Sequence, residues 1–410
     1  MQKREFVLIY IVSLVVFTFI ILVLVLLLLL IETRIVKKGD RTIVINNDTE
    51  NPIITSMGTT LLNTLVKHQI YIPSACGGSG SCGQCTCRVV EGGGDILPTE
   101  LPHLSRQEKA KQYRLTCQLK VRSDMKIEIP PEIFSIQKYA GTVISNKNIG
   151  AFIKELIIEV DEPVEFEAGQ YMQIDIPEYE LSFKEFQIDE IFKPDWDRYN
   201  FWEYNASNDE PIYRAYSLAN EPAENRRLTF TIRIATPPAD AKNAPPGIGS
   251  AFLFRLQPGD EVTMSGPYGD FKIRETTNEM CFIGGGAGMA PLRSQIRDQL
   301  MRVKTRRKMT YWYGARSRKE MLYDKELREL DEQYENFSYR VALSEPLPED
   351  EWEGFVGFIH HAAYESLNTY EDPSEIEYYL CGPPMMIAAV LKMVDSLGVD
   401  PVMIQYDEFS

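Results

Sequence analysis

Four of the seven cysteines stand within twelve residues, in the stretch CGGSGSCGQCTC that runs from Cys76 to Cys87. Three of them have the spacing Cys76-x5-Cys82-x2-Cys85, and Cys117 follows farther along the chain. Three thiolates on one glycine-rich loop and a fourth from a distant segment can enclose a 2Fe–2S cluster. Glycine permits the turns with positive φ and lets backbone N–H groups approach the cluster sulfurs. The pattern predicts a 2Fe–2S centre with four ligands: Cys76, Cys82, Cys85 and Cys117.

Other uses of these cysteines are less well supported. A zinc site prefers two paired CxxC-like knuckles, whereas Cys117 stands alone. Disulfides need an oxidising compartment, and the rest of the chain argues against one. Cys87 could displace Cys85 or Cys117 as a ligand. It lies, however, in a strand-like run at residues 86–90, which favours the role of a small buried hydrophobic residue.

Length, charge and histidine content restrict the class of function. The chain has 410 residues, 44% of them hydrophobic, which is enough for two or three domains. Its formal net charge of −16 disfavours a nucleic-acid partner, because phosphate would be repelled. Only four histidines occur, which argues against a His-rich metal site. The neighbouring His360 and His361 cannot share one helix face, so solvated or capping roles suit them better.

Residues 6–31 are uncharged throughout and predict a transmembrane helix. These twenty-six residues would make a helix of about 39 Å, enough to span a bilayer core of roughly 30 Å. A cleaved signal peptide would have a shorter apolar region and a small-residue cleavage site, and residues 31–34 offer none. Basic residues flank both ends, with more of them on the C-terminal side. This bias predicts a single-pass helix with the remaining domains in the cytoplasm.

Residues 36–130 have the pattern of a small α+β domain. Apolar and β-branched runs predict strands at 42–45 and 126–129, and a short helix at 60–65 precedes the cysteine loop. Together with the cysteine spacing, this pattern resembles a ferredoxin domain of the β-grasp type. Its first cysteine interval is one residue longer than in the plant-type C-x4-C-x2-C spacing, which leaves the ligand set intact.

Residues 131–274 are rich in predicted strands. The run at 228–234 alternates apolar and polar side chains, which predicts a half-buried barrel strand. Three motifs resemble the flavin domain of the ferredoxin–NADP reductase superfamily: FxxGQY at 166–171, RAYS at 214–217 and GPYGxF at 266–271. The resemblance implies an antiparallel β-barrel that binds FAD.

The RAYS motif is the strongest of the three. Alone, it could be chance, with ordinary surface side chains, but its position on a strand after the barrel pattern favours function. The resemblance implies that Arg214 pairs with the flavin pyrophosphate, Tyr216 packs on the isoalloxazine and Ser217 hydrogen-bonds near N5. A long polar and aromatic insertion at 178–211 precedes this strand and departs from the generic superfamily pattern.

A glycine- and serine-rich turn opens the helical run at residues 251–254. Because a helix N-terminus with exposed amides is a ready anion site, this turn is predicted to hold the flavin diphosphate. The alternative is a plain serine N-cap, which needs no ligand. The candidate residues are Gly247, Gly249 and Ser250.

Residues 275–410 alternate predicted strands and helices, with strands at 280–283, 309–313, 337–343 and 378–380. This alternation predicts a parallel sheet with helices on both faces. Two turns, GGGAG and CGPPM, each follow a strand, where nucleotides dock in such sheets. The predicted nucleotide-binding residues are Gly284, Gly285, Gly286, Gly288, Cys381, Gly382 and Pro383.

Cys381 is the candidate residue for the nicotinamide end of the nucleotide, and Arg316 and Arg318 are the candidates for its adenosine end. Resemblance to the superfamily implies that Cys381 lies near the nicotinamide ring, and the alternative is a core thiol. Arg316 and Arg318 could clamp a 2′-phosphate, whereas Glu320 could accept a hydrogen bond from a free 2′-hydroxyl. Pattern alone therefore leaves NADH and NADPH open.

Over essentially its full length, the chain resembles the electron-input subunits of Na+-translocating NADH:quinone reductases. The features that carry this resemblance are the N-terminal anchor, the ferredoxin domain, the insertion, WYGARS at 312–317 and the ending YDEF at 406–409. The resemblance implies that NADH gives a hydride to FAD and that single electrons pass through the 2Fe–2S cluster. Other membrane subunits would carry them to ubiquinone in the inner membrane of a bacterium while sodium is exported. Phe409 would cover the flavin face, and Arg316 would contact NADH.

Two other functions share these modules. The reductase component of a multicomponent oxygenase has the same three domains but is usually soluble, so the predicted anchor argues against it. A membrane-tethered ferredoxin carrier would leave the flavin and nicotinamide motifs without a purpose. No Asp, Glu, Lys, Arg or His lies within 6–31, so partner subunits would have to supply any sodium path.

The predicted architecture is multidomain. It comprises a transmembrane anchor in 1–35, an α+β ferredoxin-like domain in 36–130, an antiparallel β-barrel FAD domain in 131–274 and an α/β parallel-sheet NADH domain in 275–410.

Overall fold

The computed structural model describes residues 14–27, 39–237 and 244–408. These residues belong to two compact units: a smaller one formed by residues up to Gln69 and by Thr86–Pro130, and a larger one formed by Ile70–Cys85 and the chain from Pro131 onwards. Part of the predicted span at 6–31 lies outside the described residues. No helix in the described residues has both the length and the apolar composition needed to cross a bilayer.

The helices and strands of the described residues are numbered in chain order. The helices are α1 (residues 14–27), α2 (Leu61–Lys67), α3 (Arg106–Ala110), α4 (Lys193–Tyr199), α5 (Ile248–Arg255), α6 (Met289–Arg297), α7 (Asp324–Gln333), α8 (Ile359–Leu367) and α9 (Pro384–Ser396). The strands are β1 (Asp40–Ile45), β2 (Asp48–Ser56), β3 (Thr86–Glu91), β4 (Tyr113–Leu115), β5 (Met125–Glu128), β6 (Gln137–Gly150), β7 (Ile153–Val160), β8 (Tyr171–Ile176), β9 (Tyr179–Ser182), β10 (Asn205–Asn208), β11 (Ile212–Ser217), β12 (Arg227–Arg233), β13 (Glu261–Tyr268), β14 (Met280–Gly285), β15 (Met309–Ala315), β16 (Phe337–Leu343), β17 (Phe355–Val356), β18 (Glu377–Gly382) and β19 (Ile404–Glu408).

The smaller unit is built on a five-stranded mixed sheet with the strand order β2-β1-β5-β3-β4. Strands β1 and β5 pair in parallel, and the other pairs are antiparallel. Helix α2 begins where the Thr60 hydroxyl accepts a hydrogen bond from the Asn63 backbone N–H at 3.2 Å. It packs its leucines into the core, including Leu61 and Leu65, which are fully buried. The predicted strands and helix of this region are confirmed.

An antiparallel six-stranded sheet forms the barrel, with the order β11-β8-β13-β6-β7-β12. A bridge between Leu218 and Phe230 brings the two outer strands together. The prediction that β12 is half-buried is wrong, because Thr229 and Thr231 on its polar face are only 7% and 6% exposed. The Thr231 hydroxyl lies 3.4 Å from the hydroxyl of Tyr323, which precedes α7, so the nucleotide-binding part of the chain covers this face.

The insertion at 178–211 folds into a small aromatic layer on the barrel. It contributes the paired strands β9 and β10 and helix α4. Trp196 is fully buried, and its indole N–H donates to the Ala151 carbonyl at 2.7 Å. The rings of Phe183 and Phe186 pack 4.6 Å apart beside it. Aromatic burial of this kind explains how a largely polar insertion is held in place.

A parallel six-stranded sheet forms the last part of the chain, with the order β17-β16-β15-β14-β18-β19. Strand β14 lies in the middle, between β15 and β18. The chain order reverses direction at this strand, which makes the crevice at its C-terminal end the topological switch point where ligands bind in such sheets. The predicted parallel sheet and its four strands are confirmed.

Candidate functional site

The cysteine loop lies in a tight, glycine-rich conformation. The sulfur atoms of Cys76 and Cys82 are 3.3 Å apart. Gly77 and Gly83, each next to one of these cysteines, have φ of +65° and +71°, which residues with a β-carbon rarely adopt. Within residues 39–237 and 244–408, where all seven cysteines lie, no disulfide forms. A separation of 3.3 Å is well beyond the disulfide length of about 2.05 Å.

The two contacting thiols share one hydrogen bond. This bond from Cys82 lowers the pKa of Cys76, and the same bond raises the pKa of Cys82. Cys85 is buried on the same loop, and Cys87 is buried on β3, as the strand pattern predicts. Cys117 is buried in the smaller unit, where the Gln118 side-chain amide donates to its sulfur at 3.6 Å.

The residues of this loop fit an iron–sulfur cluster by their chemistry. Soft thiolate donors on a loop with left-handed glycines are what a 2Fe–2S cluster requires, and an amide donor to a ligand sulfur is the kind of contact that tunes such a centre. The contact between Cys76 and Cys82 already brings two of the four predicted ligands together. Across the described ranges, no three His, Cys, Asp or Glu side chains are grouped as a metal site.

The RAYS motif lies on β11, which pairs with β8 along its whole length. The N-terminal end of α5 packs directly against this strand. A β-carbon placed on Gly249 would lie 2.7 Å from Cγ of Arg214 and 3.0 Å from the hydroxyl oxygen of Tyr216. The structure therefore brings together the two predicted FAD-binding segments, and only glycine fits between them.

The start of α5 leaves its backbone amides available to an anion. Gly247 is the N-cap and has no side chain to cap the helix. The serine N-cap considered as an alternative is wrong, because the Ser250 hydroxyl donates to the Gly247 carbonyl and accepts from the Ala235 backbone N–H, both at 3.1 Å. Uncapped amides at a helix N-terminus suit a diphosphate. This end of the barrel therefore fits FAD.

Two tyrosine hydroxyls stay protonated beside this helix. Tyr179 donates to the Ile248 carbonyl at 2.6 Å, and burial raises its pKa to about 12. Burial also raises the pKa of Tyr216 above its ordinary value. Both residues therefore remain neutral hydrogen-bond donors across the physiological range. Tyr179 is a contributor to this end of the barrel that the sequence patterns did not single out.

The two predicted nucleotide turns meet at the switch point. A β-carbon on Gly288 would lie 2.2 Å from the Cys381 carbonyl oxygen and 2.6 Å from Cα of Gly382. One on Gly284 would lie 3.3 Å from the same Cys381 oxygen. Cys381 is fully buried at the end of β18, and burial raises the pKa of its thiol well above the ordinary value. Close backbone approach of this kind is what the glycines of a dinucleotide-binding turn provide.

The remaining turn residues lie at the starts of helices. Gly285 ends β14, Gly286 has φ of +57° and begins the short 3-10 turn before α6, and Pro383 is the N-cap of α9. Each helix thus begins at the C-terminal edge of the sheet, and each turn follows a strand as predicted.

Arg316 and Glu320 lie close enough beyond β15 for their charges to interact. Burial raises the pKa of Glu320, and Arg316 and Arg233 partly offset that effect. Arg318 is held differently, with its backbone N–H donating to the buried Asp350 carboxylate at 3.1 Å. The guanidinium of Arg318 lies 5.9 Å from the ring centroid of Trp352, and a joint clamp by the two arginines stays a prediction.

Helix α6 connects the flavin side to the nucleotide side. The Arg293 guanidinium donates to the Ala219 carbonyl at 2.7 Å, and the Ser294 hydroxyl donates to the Asn220 carbonyl at 2.6 Å. These carbonyls follow the RAYS strand directly, and α6 follows the GGGAG turn. No sequence pattern indicated these contacts, because they join residues 74 positions apart.

The C-terminal strand lies beside Cys381. In the parallel pairing of β18 and β19, Asp407 is opposite Cys381. Phe409, the predicted cover of the flavin face, lies outside the described residues. A cavity of about 410 Å³ opens between Gln84, Tyr171 and this strand.

Fold and site together define a flavin-dependent reductase of the ferredoxin–NADP reductase type with an attached iron–sulfur module. Three domain families match the chain: a 2Fe-2S iron-sulfur cluster binding domain over residues 46–122, an oxidoreductase FAD-binding domain over 197–273 and an oxidoreductase NAD-binding domain over 282–392. The chain belongs to the family of the F subunits of Na(+)-translocating NADH-quinone reductases. It therefore has binding domains for 2Fe–2S, FAD and NAD.

Membership rests on relatives that match nearly the whole chain. The F subunit of the Neisseria meningitidis serogroup B reductase is 49% identical over 97% of this chain and 99% of its own length. The F subunit of the Histophilus somni reductase is 49% identical over 92% of this chain and 94% of its own. The corresponding Haemophilus ducreyi protein is 48% identical over 98% of both chains.

Solved structures with the same fold come from other electron-transfer systems. The Amycolatopsis cytochrome P450 reductase GcoB has a TM-score of 0.61 and 23% identity, over 90% of this chain and 98% of its own. The ferredoxin reductase in carbazole 1,9a-dioxygenase has a TM-score of 0.59 and 23% identity, over 91% of this chain and 99% of its own. At this identity the likeness establishes the fold alone.

Proposed function

We propose that this chain is the electron-input subunit of a Na+-translocating NADH:ubiquinone reductase. It accepts a hydride from NADH on FAD and passes single electrons through a 2Fe–2S cluster to partner subunits and on to ubiquinone. One observation carries this proposal: the segment with Cys76, Cys82 and Cys85, the RAYS strand and both nucleotide turns belong to one compact unit. A bound flavin supplies the conversion between a two-electron hydride and the one-electron chemistry of an iron–sulfur cluster.

On the flavin side, the residues of this chain would bind FAD and orient its ring. Arg214 and the uncapped start of α5 would hold the two phosphates, because a guanidinium and backbone amides are the donors that phosphate prefers. Tyr216 would cover the ring, and its contact with Gly249 fixes its position on the strand. Ser217, buried at the end of β11, would hold a hydrogen bond at the ring edge.

On the nicotinamide side, the residues exclude water and shape the crevice. Cys381 would lie beside the ring as a neutral thiol, because burial keeps its proton in place by raising the pKa. Gly284, Gly288 and Gly382, which lack side chains, would let the backbone approach the nucleotide. Phe409 would cover the flavin until nicotinamide displaces it, and Arg316 would contact the adenosine part of NADH.

The four cysteines would hold the cluster, with Cys117 as the ligand from the second segment. The proposed domain division is an anchor in 1–35, a ferredoxin domain in 36–130, an FAD domain in 131–274 and an NADH domain in 275–410. The three matched domain families fall within these bounds.

Residues 6–31 are proposed as a single membrane span that keeps the other domains on the cytoplasmic side of a bacterial inner membrane. The span has no Asp, Glu, Lys, Arg or His, so the sodium path and the ubiquinone site would belong to partner subunits. The relatives matched over nearly the full chain favour this role over that of an oxygenase reductase.

The proposal is tested by adding NADH to the purified protein without oxygen. Flavin absorbance should bleach first, and the EPR signal of a reduced 2Fe–2S cluster should follow. An Arg214→Leu control should lose FAD and both responses, yet keep a cluster that dithionite reduces. Bleaching of the flavin with no cluster signal in the wild-type protein would contradict the proposed electron path.

A further inference from the structure

The cysteine loop makes a specific polar contact with the barrel. Gln84, the residue before Cys85, accepts a hydrogen bond at its side-chain oxygen from the Tyr171 hydroxyl at 2.9 Å. The same oxygen accepts from the Ala75 backbone N–H at 3.3 Å, next to Cys76. The side-chain oxygen of Gln84 therefore accepts two hydrogen bonds, one from the start of the loop and one from a tyrosine of the barrel.

Tyr171 is itself rigidly held. It is 8% exposed, and its ring stacks on Tyr268 with centroids 5.5 Å apart and planes at 26°. A stacked, buried ring has few rotamers, so its hydroxyl presents a fixed donor to the loop. Ordering Gln84 against a fixed donor loses less entropy than ordering two mobile side chains would.

A second contact with the barrel lies at the N-terminal end of the loop, at Gly77. A β-carbon on Gly77 would lie 2.1 Å from Nη1 of Arg214 and 2.3 Å from the Tyr213 carbonyl oxygen. The backbone of the loop thus touches β11 at the RAYS arginine itself, and only glycine allows that approach. The loop meets the barrel at two places, on the neighbouring strands β8 and β11.

These contacts lie on the flavin strand or directly beside it. In the pairing of β8 with β11, Tyr171 is opposite Ser217. We propose that Gln84 and Tyr171 form a latch that holds the cysteine loop on the barrel beside the flavin strand. The latch sets how fast an electron leaves the NADH-reduced flavin and reduces the oxidised cluster by one electron. This inference rests on the proposed function, but it concerns positioning residues that bind neither cofactor.

Tyr171→Phe tests the latch because it removes only the hydroxyl and keeps the stacked ring. Hydrogen exchange in peptides covering residues 70–85 of the holoprotein should accelerate about two- to tenfold, the range that loss of one ordinary hydrogen bond produces. Cluster reduction after NADH addition should slow, whereas flavin reduction and the dithionite-reduced EPR signal should stay as in the wild type. Tyr268→Phe is the matched control, because its hydroxyl bonds to Ser265 within the barrel at 3.0 Å. It should leave both exchange and cluster reduction unchanged.

A double-mutant cycle completes the test. Gln84→Ala should have at least the effect of Tyr171→Phe, because it also removes the bond from the Ala75 N–H. The double variant should be no worse than Gln84→Ala alone, because the Tyr171 hydroxyl acts through Gln84. Additive effects, or a Tyr171→Phe protein with wild-type exchange and wild-type cluster reduction, would overturn the latch. The proposed function would survive that result. It would fail instead if the wild-type cluster received no electron from NADH.

Discussion

Gly249 and Tyr216 lie in close contact: a β-carbon on Gly249 would lie 3.0 Å from the tyrosine hydroxyl oxygen, and 2.7 Å from Cγ of Arg214. The contact joins the helix start that would hold the flavin phosphates to the side chain that would cover the flavin ring. A flavin would therefore find both halves of the proposed site in contact with each other.

Gly249→Ala should weaken FAD binding even though alanine favours the helix. In an open helix this change would stabilise the fold by about 0.5–1 kcal/mol. Here the new methyl group would displace Tyr216 and Arg214, so we expect the Kd for FAD to rise about tenfold, or about 1.4 kcal/mol. Fluorescence titration of the apoprotein with FAD measures this Kd. A variant that binds FAD as well as the wild type and unfolds at a higher temperature would show that the contact has no role.

The buried ion pair of Glu100 and Arg114 should dominate the stability of the smaller unit. The pair is 0% and 3% exposed, and Glu100 also accepts from the Leu115 backbone N–H. Removing one partner leaves an unpaired buried charge, so Arg114→Leu should lose about 3–5 kcal/mol and, because β4 leads to Cys117, should also lower iron content.

The matched control is the exposed pair of Lys126 and Glu91, which are 44% and 59% exposed. Lys126→Leu should cost at most about 1 kcal/mol. Urea unfolding and iron analysis compare the two variants. Equal losses from both would contradict the reasoning from burial.

Lys154 should give the fold an alkaline pH dependence. It is 2% exposed, its ammonium donates to the Phe254 carbonyl at 2.9 Å, and burial lowers its pKa to about 8. Because the unfolded chain binds this proton up to its ordinary pKa of 10.5, stability should rise with pH between about 8 and 10.5. Below pH 8 both states are protonated, and this contribution no longer changes.

Lys154→Met isolates the effect. The free energy of unfolding of the wild type relative to this variant should increase from about pH 8 to about pH 10 by at most about 1.4 kcal/mol per pH unit. Lys147→Met, at an exposed position on β6, controls for the loss of one positive charge. A difference that falls as pH rises would reverse the sign that burial requires.

NADH should be preferred over NADPH by at least about tenfold in kcat/KM, or about 1.4 kcal/mol. The structural reason is that Glu320 lies close enough to Arg316 to interact with its charge, and its carboxylate would repel a 2′-phosphate. Glu320→Gln should reduce the ratio mainly by improving KM for NADPH. Steady-state kinetics with an artificial acceptor measures kcat and KM for NADH and for NADPH. A wild-type preference for NADPH would contradict the assignment of this pair.

Local patterns predicted the elements that position the site. Period-two runs and glycine turns placed the RAYS motif on β11 and the GGGAG turn after β14, because strands and tight turns are dictated by neighbouring residues. The exposure of β12 was mispredicted, since alternation cannot show that Tyr323 covers Thr231. The bond from Tyr171 to Gln84 spans 87 positions and has no local signature.

The central claim is that hydride transfer and single-electron transfer are performed by separate parts of one chain, and Cys82→Ala tests it most directly. Cys82 contacts Cys76 at 3.3 Å and belongs to the proposed cluster ligands, not to the flavin or nucleotide residues. Stopped-flow absorbance should show NADH reducing the flavin of this variant at the wild-type rate, while EPR of the dithionite-reduced protein shows no cluster signal. Loss of NADH-dependent flavin reduction in a variant that retains its FAD would contradict the claim, because the cluster would then have to shape the hydride site itself.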